Sequence, residues 1–446
     1  MRERAVETER RKATRFASAA GGRFADEALS LVRTTGRRAV LRTLHKAQAK
    51  ATGREPSPLH WPRTELGPHY DVVIVGGTLP GLWLAWELAR RGDLRVAVVE
   101  RGLVGSSWPS RDGSVLSPLR QPALLSSMVT RSSQLYDETY TEHGFRHRLG
   151  RTDVVRLAID AGEVRQLQGM LAEHPRGAST LDLADPRAAA ELVAHLDAEA
   201  ALAAVIETGV TTVHADVLPW QLGGEAAARG TAMVERCAVN AVSWMNGAWV
   251  LESAHGTTAA GRVVDATLGA ELLAAAGVPH GCLWRRWDTM YTEPVQPFLD
   301  AHLLVQGVEV SQTRQGEIAL VSPPAPAPPG PTGPGMEAAA AASFAAIQAL
   351  PALARLRVVA QVPHAELLAS DGLPVVGDQG GTADAPGLYR LGGLGPDAVA
   401  LAPALAGALA DDLLHEHPPP WLAACAPERL VGAGRRGGAA TAGTMR

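Results

Sequence analysis

The chain has 446 residues, 46% apolar and 20% charged, with a formal net charge of −4. That balance excludes a disordered chain, no Gly period suggests collagen, and no apolar run reaches the ~18 residues needed to cross a bilayer. Only three cysteines occur, Cys237, Cys282 and Cys425, too far apart for a disulfide framework or a zinc ribbon, which points to a reducing, cytoplasmic setting.

Charge is unevenly placed. Residues 1–60 hold 14 Lys/Arg against 6 Asp/Glu, a surplus of 8, so the remainder carries −12. All three lysines, Lys12, Lys46 and Lys50, fall in this leader. Residues 3–20 read as a charged helix. Phe24, Ala28, Leu31, Val32, Val40 and Leu44 form a weak apolar stripe that Gly36 interrupts. No apolar core follows the basic start, so a secretory signal is not expected. Residues 1–68 are therefore a basic helical extension and linker, with Pro56, Pro58 and Pro62 leading into the folded body. Docking on the body or on a partner subunit is the plainer reading and an anionic membrane surface the sharper one; specific nucleic-acid binding is not expected.

Residues 70–101, YDVVIVGGTLPGLWLAWELARRGDLRVAVVER, carry the most information. Asp71 to Val75 is a short β-branched run suited to a strand buried on both faces of a parallel sheet. Gly76, Gly77 and Gly81 make a turn, Leu82 to Arg91 is helical, Leu94 to Val99 is a second buried strand, and Glu100 closes it. Such a turn lets a helix N-terminus meet a pyrophosphate, and the acid accepts from a ribose hydroxyl. Thr78 occupies the position of the central glycine. Dinucleotide binding is expected, through Gly76, Gly77, Thr78, Leu79, Gly81, Glu100 and Arg101.

This segment resembles the amino end of the D-amino-acid oxidase, glycine oxidase and sarcosine oxidase family of FAD-dependent oxidoreductases. Further similar motifs follow in the family's order: a small-residue loop with Arg111, Asp112 and Gly113; GRVVDATLGAEL at 261–272, in which Leu268 separates Thr267 from Gly269; LWRRWDTMYTEP at 283–294; DGLPVVGD at 371–378; and GLYRLGGLGPDAVALAPALAGALADDL at 387–413. The resemblance covers about residues 69–432. It implies an α/β fold, with a Rossmann-like FAD-binding domain of the GR2 type and a discontinuous substrate domain containing an antiparallel sheet. The expected FAD segments are 69–150, 207–275 and 362–435, and the substrate segments 151–206 and 276–361, with a flexible tail at 436–446. Pro323 to Gly335 reads as a surface loop without regular structure. FAD contacts are expected also from Val239, Thr267, Gly269, Gly393, Leu394, Gly395, Asp397 and Ala398. The turn at Gly392, Gly393 and Gly395 would aim its N–H groups at the flavin's N1 edge.

Members of this family move a hydride from a carbon beside an amine nitrogen to the flavin. Glu366 stands where amino-acid-oxidising members place an arginine for the substrate carboxylate; there it would repel a carboxylate and attract a cationic amine, or, with the loop shifted, face water. Tyr291 and His364 are further candidates to line the substrate cavity, and Arg285 and Arg286 are possible acid-binding residues. The oxygen-activating lysine of sarcosine-oxidase-like members has no counterpart beyond Lys50. Asp397, at a helix start, suits a cap. No metal site is expected: His143 and His147 lack a third ligand. The function expected is FAD-dependent oxidation of a C–N bond in a small amine or amino acid. The alternative is a catalytically degenerate subunit acting as a scaffold; an FAD monooxygenase is a weaker third.

Overall fold

The computed structural model describes residues 64–106, 113–145, 148–174, 181–329, 333–379 and 385–430. The leader's expected helices, the tail, and Arg111 and Asp112 lie outside these residues.

Two sheets organise the rest. The first has eight strands, in the order Val375–Asp378, Leu388–Gly392, Gly256–Asp265, His69–Val75, Val96–Glu100 and Ala232–Glu235, with the hairpin Val239–Met245/Ala248–Ser253 added on Gly256–Asp265. The strands from Leu388–Gly392 through Ala232–Glu235 run parallel. Val72, Val73 and Ile74 are fully buried, as a continuous β-branched run requires in a sheet covered on both faces. Register aligns Val75 with Val99 on one side and with Asp265 on the other, and Asp265 with Arg390. The carboxyl ends of four strands therefore finish together, where open α/β sheets place their ligands.

One face of this sheet is covered by the helices Leu79–Arg91, Leu124–Thr141, Leu218–Ala228 and Ala398–Leu413, packed into the largest core. Trp83 and Trp86 sit in that core with rings 5.5 Å apart, edge to face. Pro403 lies inside Ala398–Leu413. It has no N–H to offer Val399 O four residues back, and its ring strains the turn behind it. The neighbouring helix repairs both losses: the Tyr136 hydroxyl donates to Val399 O at 2.8 Å, and Ala404 N–H donates to Ser132 Oγ at 3.2 Å.

The second sheet has ten strands. Its main path runs Ala325–Pro326, Leu283–Thr292, Ile318–Val321, Val308–Gln312, His302–Val305, Arg148–Ala158, Ala203–His214, Gly113–Val115, with Val358–Leu368 on the other side of Leu283–Thr292. Pairing is antiparallel except between His302–Val305 and Arg148–Ala158. The helix Met336–Ala349 packs on it through Ala342, Ala345, Ala346 and Ala349. Residues 113–115, 148–150, 207–214 and 362–368, expected within the FAD segments, stand in strands of this second sheet, because strand pairing crosses the boundaries read from motif order. Within the proline-rich stretch, Ala325 and Pro326 do pair, with Arg286 and Arg285, on a short segment where a missing N–H is tolerated.

Candidate active site

The glycine turn is tight and glycine-dependent. Gly76 has φ 113°, and a Cβ there would meet Ala266 O at 2.7 Å; a Cβ on Gly81 would meet Gly76 O at 2.3 Å. The turn is therefore a close three-way approach of strand, turn and helix that only glycine permits. Thr78 does not project toward a phosphate. It is 4% exposed, caps the helix by accepting from Gly81 N–H at 3.4 Å, and donates to Ala266 O at 2.8 Å. Leu79 is buried under the helix.

Glu100 ends its strand half-buried, with Gly77 N–H at 2.8 Å on one carboxylate oxygen and Gly102 N–H at 2.6 Å on the other. Each oxygen keeps lone-pair capacity for a ribose hydroxyl. Arg101 is largely exposed and pairs with Glu271 at 3.2 Å, a contact of little energetic weight. Val239 opens the hairpin Val239–Met245/Ala248–Ser253, half-buried against the second core of the sheet. The residues present thus fit the adenosine and pyrophosphate end of FAD.

Thr267 and Gly269 stand beside a buried ion pair. Thr267 donates through both N–H (2.9 Å) and hydroxyl (2.6 Å) to Asp265, which is fully buried. Arg390, 2% exposed, faces Asp265 at 3.1 Å and donates to Thr267 O at 2.7 Å. Gly269 leaves room for the Glu271 carboxylate, which a Cβ would approach within 2.8 Å. Gly113 is the first residue of its strand, paired with His214.

The largest departure is at the carboxyl-terminal turn. Glu366 is neither in water nor presented to a ligand cation: it is 3% exposed, and its carboxylate accepts from Gly393 N–H at 2.9 Å, Leu394 N–H at 3.0 Å and Gly395 N–H at 3.0 Å. These are the N–H groups expected to face the flavin. Burial pushes the Glu366 carboxyl above its ordinary range, against the pull of Arg390 and the three amides. Asp397 is also corrected. It makes no side-chain cap and pairs instead with Arg120 at 2.6 Å, while Leu394 and Ala398 are buried beside it.

Cross-strand register puts Arg285 opposite Glu366, Trp287 opposite His364 and Tyr291 opposite Ala360. With side chains alternating, Glu366, His364 and Tyr291 share one face, the face that meets the Gly393–Gly395 turn. His364 is 8% exposed, lies 3.1 Å from Thr289 Oγ1 and sits against Trp287 with ring centroids 5.6 Å apart; burial lowers its pKa to about 4. Tyr291 is half-buried. Sequence reasoning missed Asp265, Arg390 and Arg120. The first two stand inside motifs it quoted, but their partnership spans 125 residues and is visible only once the parallel register is known.

A glycine turn, an acid-ended second strand and a second sheet laid against the turn before the last helix define a dinucleotide-dependent α/β oxidoreductase. The family model described as FAD dependent oxidoreductase matches residues 71–412, and the chain belongs to that family, with FAD as its cofactor. It is 25% identical over 260 residues to the sarcosine oxidase subunit beta of Rhizobium meliloti (strain 1021), covering 54% of this chain and 60% of that protein. It is 28% identical over 205 residues to the glycine oxidase of Geobacillus kaustophilus (strain HTA426), covering 44% of this chain and 54% of that one. The chain thus spans a little over half of each of these curated relatives. Its fold is similar to that of L-proline dehydrogenase from P. horikoshii (TM-score 0.73, 20% identity, 82% of this chain and 99% of that one). The glycine oxidase of Geobacillus kaustophilus is likewise similar in structure (TM-score 0.68, 22% identity, 79% and 96%).

Proposed function

We propose that the protein oxidises the C–N bond of a small amine or amino acid. The observation that carries this reading is the Gly76–Gly81 turn, with its left-handed Gly76 and close backbone packing, at the carboxyl edge of the parallel sheet. The residues that would hold FAD are Gly76, Gly77, Leu79 and Gly81 at the pyrophosphate and Glu100 at the ribose, with Val239 by the adenine. When bound, the flavin supplies a hydride acceptor at N5 for the carbon beside nitrogen. The protein's part is orientation. The face carrying His364 and Tyr291 would seat the amine, and His364, neutral above about pH 4, offers it a hydrogen bond rather than a charge.

The Thr78 substitution supports catalysis rather than degeneration into a scaffold, since its side chain is absorbed as a helix cap without deforming the turn. The absence of any lysine beyond Lys50 favours an electron acceptor other than oxygen. The basic leader is proposed as a docking element for a partner subunit; one relative is itself named as a beta subunit.

The test is steady-state turnover of a panel of small primary and secondary amines and amino acids, with an artificial acceptor and with oxygen. Carbonyl product should appear in equal amount with ammonia from a primary amine or with the released amine from an acyclic secondary one, faster with the artificial acceptor. A flavin-loaded protein that converts no member of the panel would overturn the reading.

A further inference from the structure

Charge at the far end of the helix layer does not balance. Glu87, in the helix Leu79–Arg91, is 1% exposed, and its Oε2 takes Arg90 Nη2 at 2.7 Å and Arg91 Nη1 at 3.4 Å. Its other oxygen, Oε1, is closed to bulk water and has no hydrogen-bond partner. Arg91 is shared with Asp411, at 2.5 Å, and with Glu416, while Arg131 pairs with Glu138 at 3.0 Å. Four carboxylates thus face three guanidiniums, and the unmatched charge falls on the one oxygen without a donor. Burial pushes the Glu87 carboxyl above its ordinary range, against the pull of Arg90 and Arg91. A buried acid with one oxygen unserved is unfavourable, so either a proton or a ligand cation belongs on Oε1.

A cavity of about 310 Å³ adjoins this acid, at the small end of the range of ligand pockets. Glu87 and Asp411 line it together with Leu135, Ala408, Pro419 and Trp421, so carboxylate oxygens and apolar surface share one space. Asp411 gives Oδ1 to Arg91, which leaves Oδ2 for a second donor. By helical rise Glu87 stands about 12 Å from Leu79 and Asp411 about 20 Å from Ala398, the helix starts that follow the two glycine turns. The cavity is therefore separate from the site described above.

We propose that this cavity is a second ligand site, for a small organic cation: a primary ammonium that donates to Glu87 Oε1, with Asp411 Oδ2 as a further acceptor, on a compact apolar group that packs against Leu135, Ala408 and Trp421. The proposal does not rest on the amine-oxidation reading.

The probe is tert-butylammonium chloride, whose carbon beside nitrogen carries no hydrogen and so yields no hydride. Thermal unfolding of the flavin-loaded full chain is followed against it, with tert-butanol as the neutral isostere and sodium chloride at equal ionic strength. The Tm should rise saturably with the ammonium and with neither control. Two variants locate the site. Glu87→Gln keeps the size of the side chain and removes its charge. Gly407→Leu fills the cavity from the helix Ala398–Leu413, at a position where a Cβ meets no neighbouring element within 4 Å. Each should raise the half-saturating concentration of the ammonium at least tenfold, and Gly407→Leu decides alone if Glu87→Gln does not fold.

A wild type with no ammonium-specific rise leaves Oε1 to a proton or to water and overturns the proposal. A rise that survives unchanged in either folded variant overturns it too, and assigns the ammonium to another place such as the substrate cavity. Neither failure bears on whether substrate amines bleach the flavin, and a flavin that no amine bleaches leaves the ammonium result standing.

Discussion

Thr78 marks the limit of motif reading at the residue scale. By pattern it is a missing glycine; by geometry it is a cap, with Oγ1 shared between Gly81 N–H and Ala266 O. Thr78→Ala should therefore cost about 1–2 kcal/mol in urea unfolding, the usual price of a cap together with a buried hydrogen bond; a variant as stable as its parent would contradict this. The sequence could not show it, because Ala266 is 188 residues away along the chain. Glu366 teaches the same lesson with charge. Its place five residues before Asp371 is legible, its three amide partners are not.

His364 supplies a pH prediction. Its pKa is about 4 in the fold against 6.5 ordinarily, so as pH falls the unfolded chain takes up its proton first. Its contribution is present above pH 6.5 and is lost as pH falls toward 4, by about 3 kcal/mol at most. His364→Gln should flatten that acid limb when urea midpoints at pH 7 and pH 4.5 are compared. A drop as steep as the wild type's would assign the limb to other groups.

At the scale of elements, the proline in the last helix looks like a flaw in the sequence and is repaired by a neighbour. Tyr136→Phe leaves Val399 O buried with no donor and should cost about 1–3 kcal/mol. Combining it with Pro403→Ala, which restores the helical donor, should cost clearly less than Tyr136→Phe alone. Equal costs would show that the hydroxyl is not replacing the missing N–H. The glycine turn gives a sharper outcome. Gly81→Ala forces a Cβ to within 2.3 Å of Gly76 O, so the purified variant should be colourless or lose its flavin on desalting, while the parent stays yellow. The short buried strands and the helix between them were readable from 70–101 because periodicity, glycine placement and strand length agree there. The Ala325–Pro326 pairing was not, since a two-residue strand leaves no period to detect.

For the whole molecule, motif order along the chain was enough to anticipate an FAD sheet with an antiparallel partner. It could not assign strands near the crossings, because Gly113–Val115 and Val358–Leu368 join the second sheet through partners that are distant in sequence. What matters for function is that the carboxyl edge of the first sheet and one face of the second converge on the Gly393–Gly395 turn, where Glu366 links them. The Gly76–Gly81 turn at that same carboxyl edge carries the proposal that the protein is an amine-oxidising flavoenzyme. The most direct measurement is the visible absorption of the purified full chain under anaerobic conditions as small amines are added. The flavin bands should be present at the start and bleach with at least one amine, returning when an electron acceptor is admitted. Flavin bands that no amine or amino acid bleaches would contradict the account.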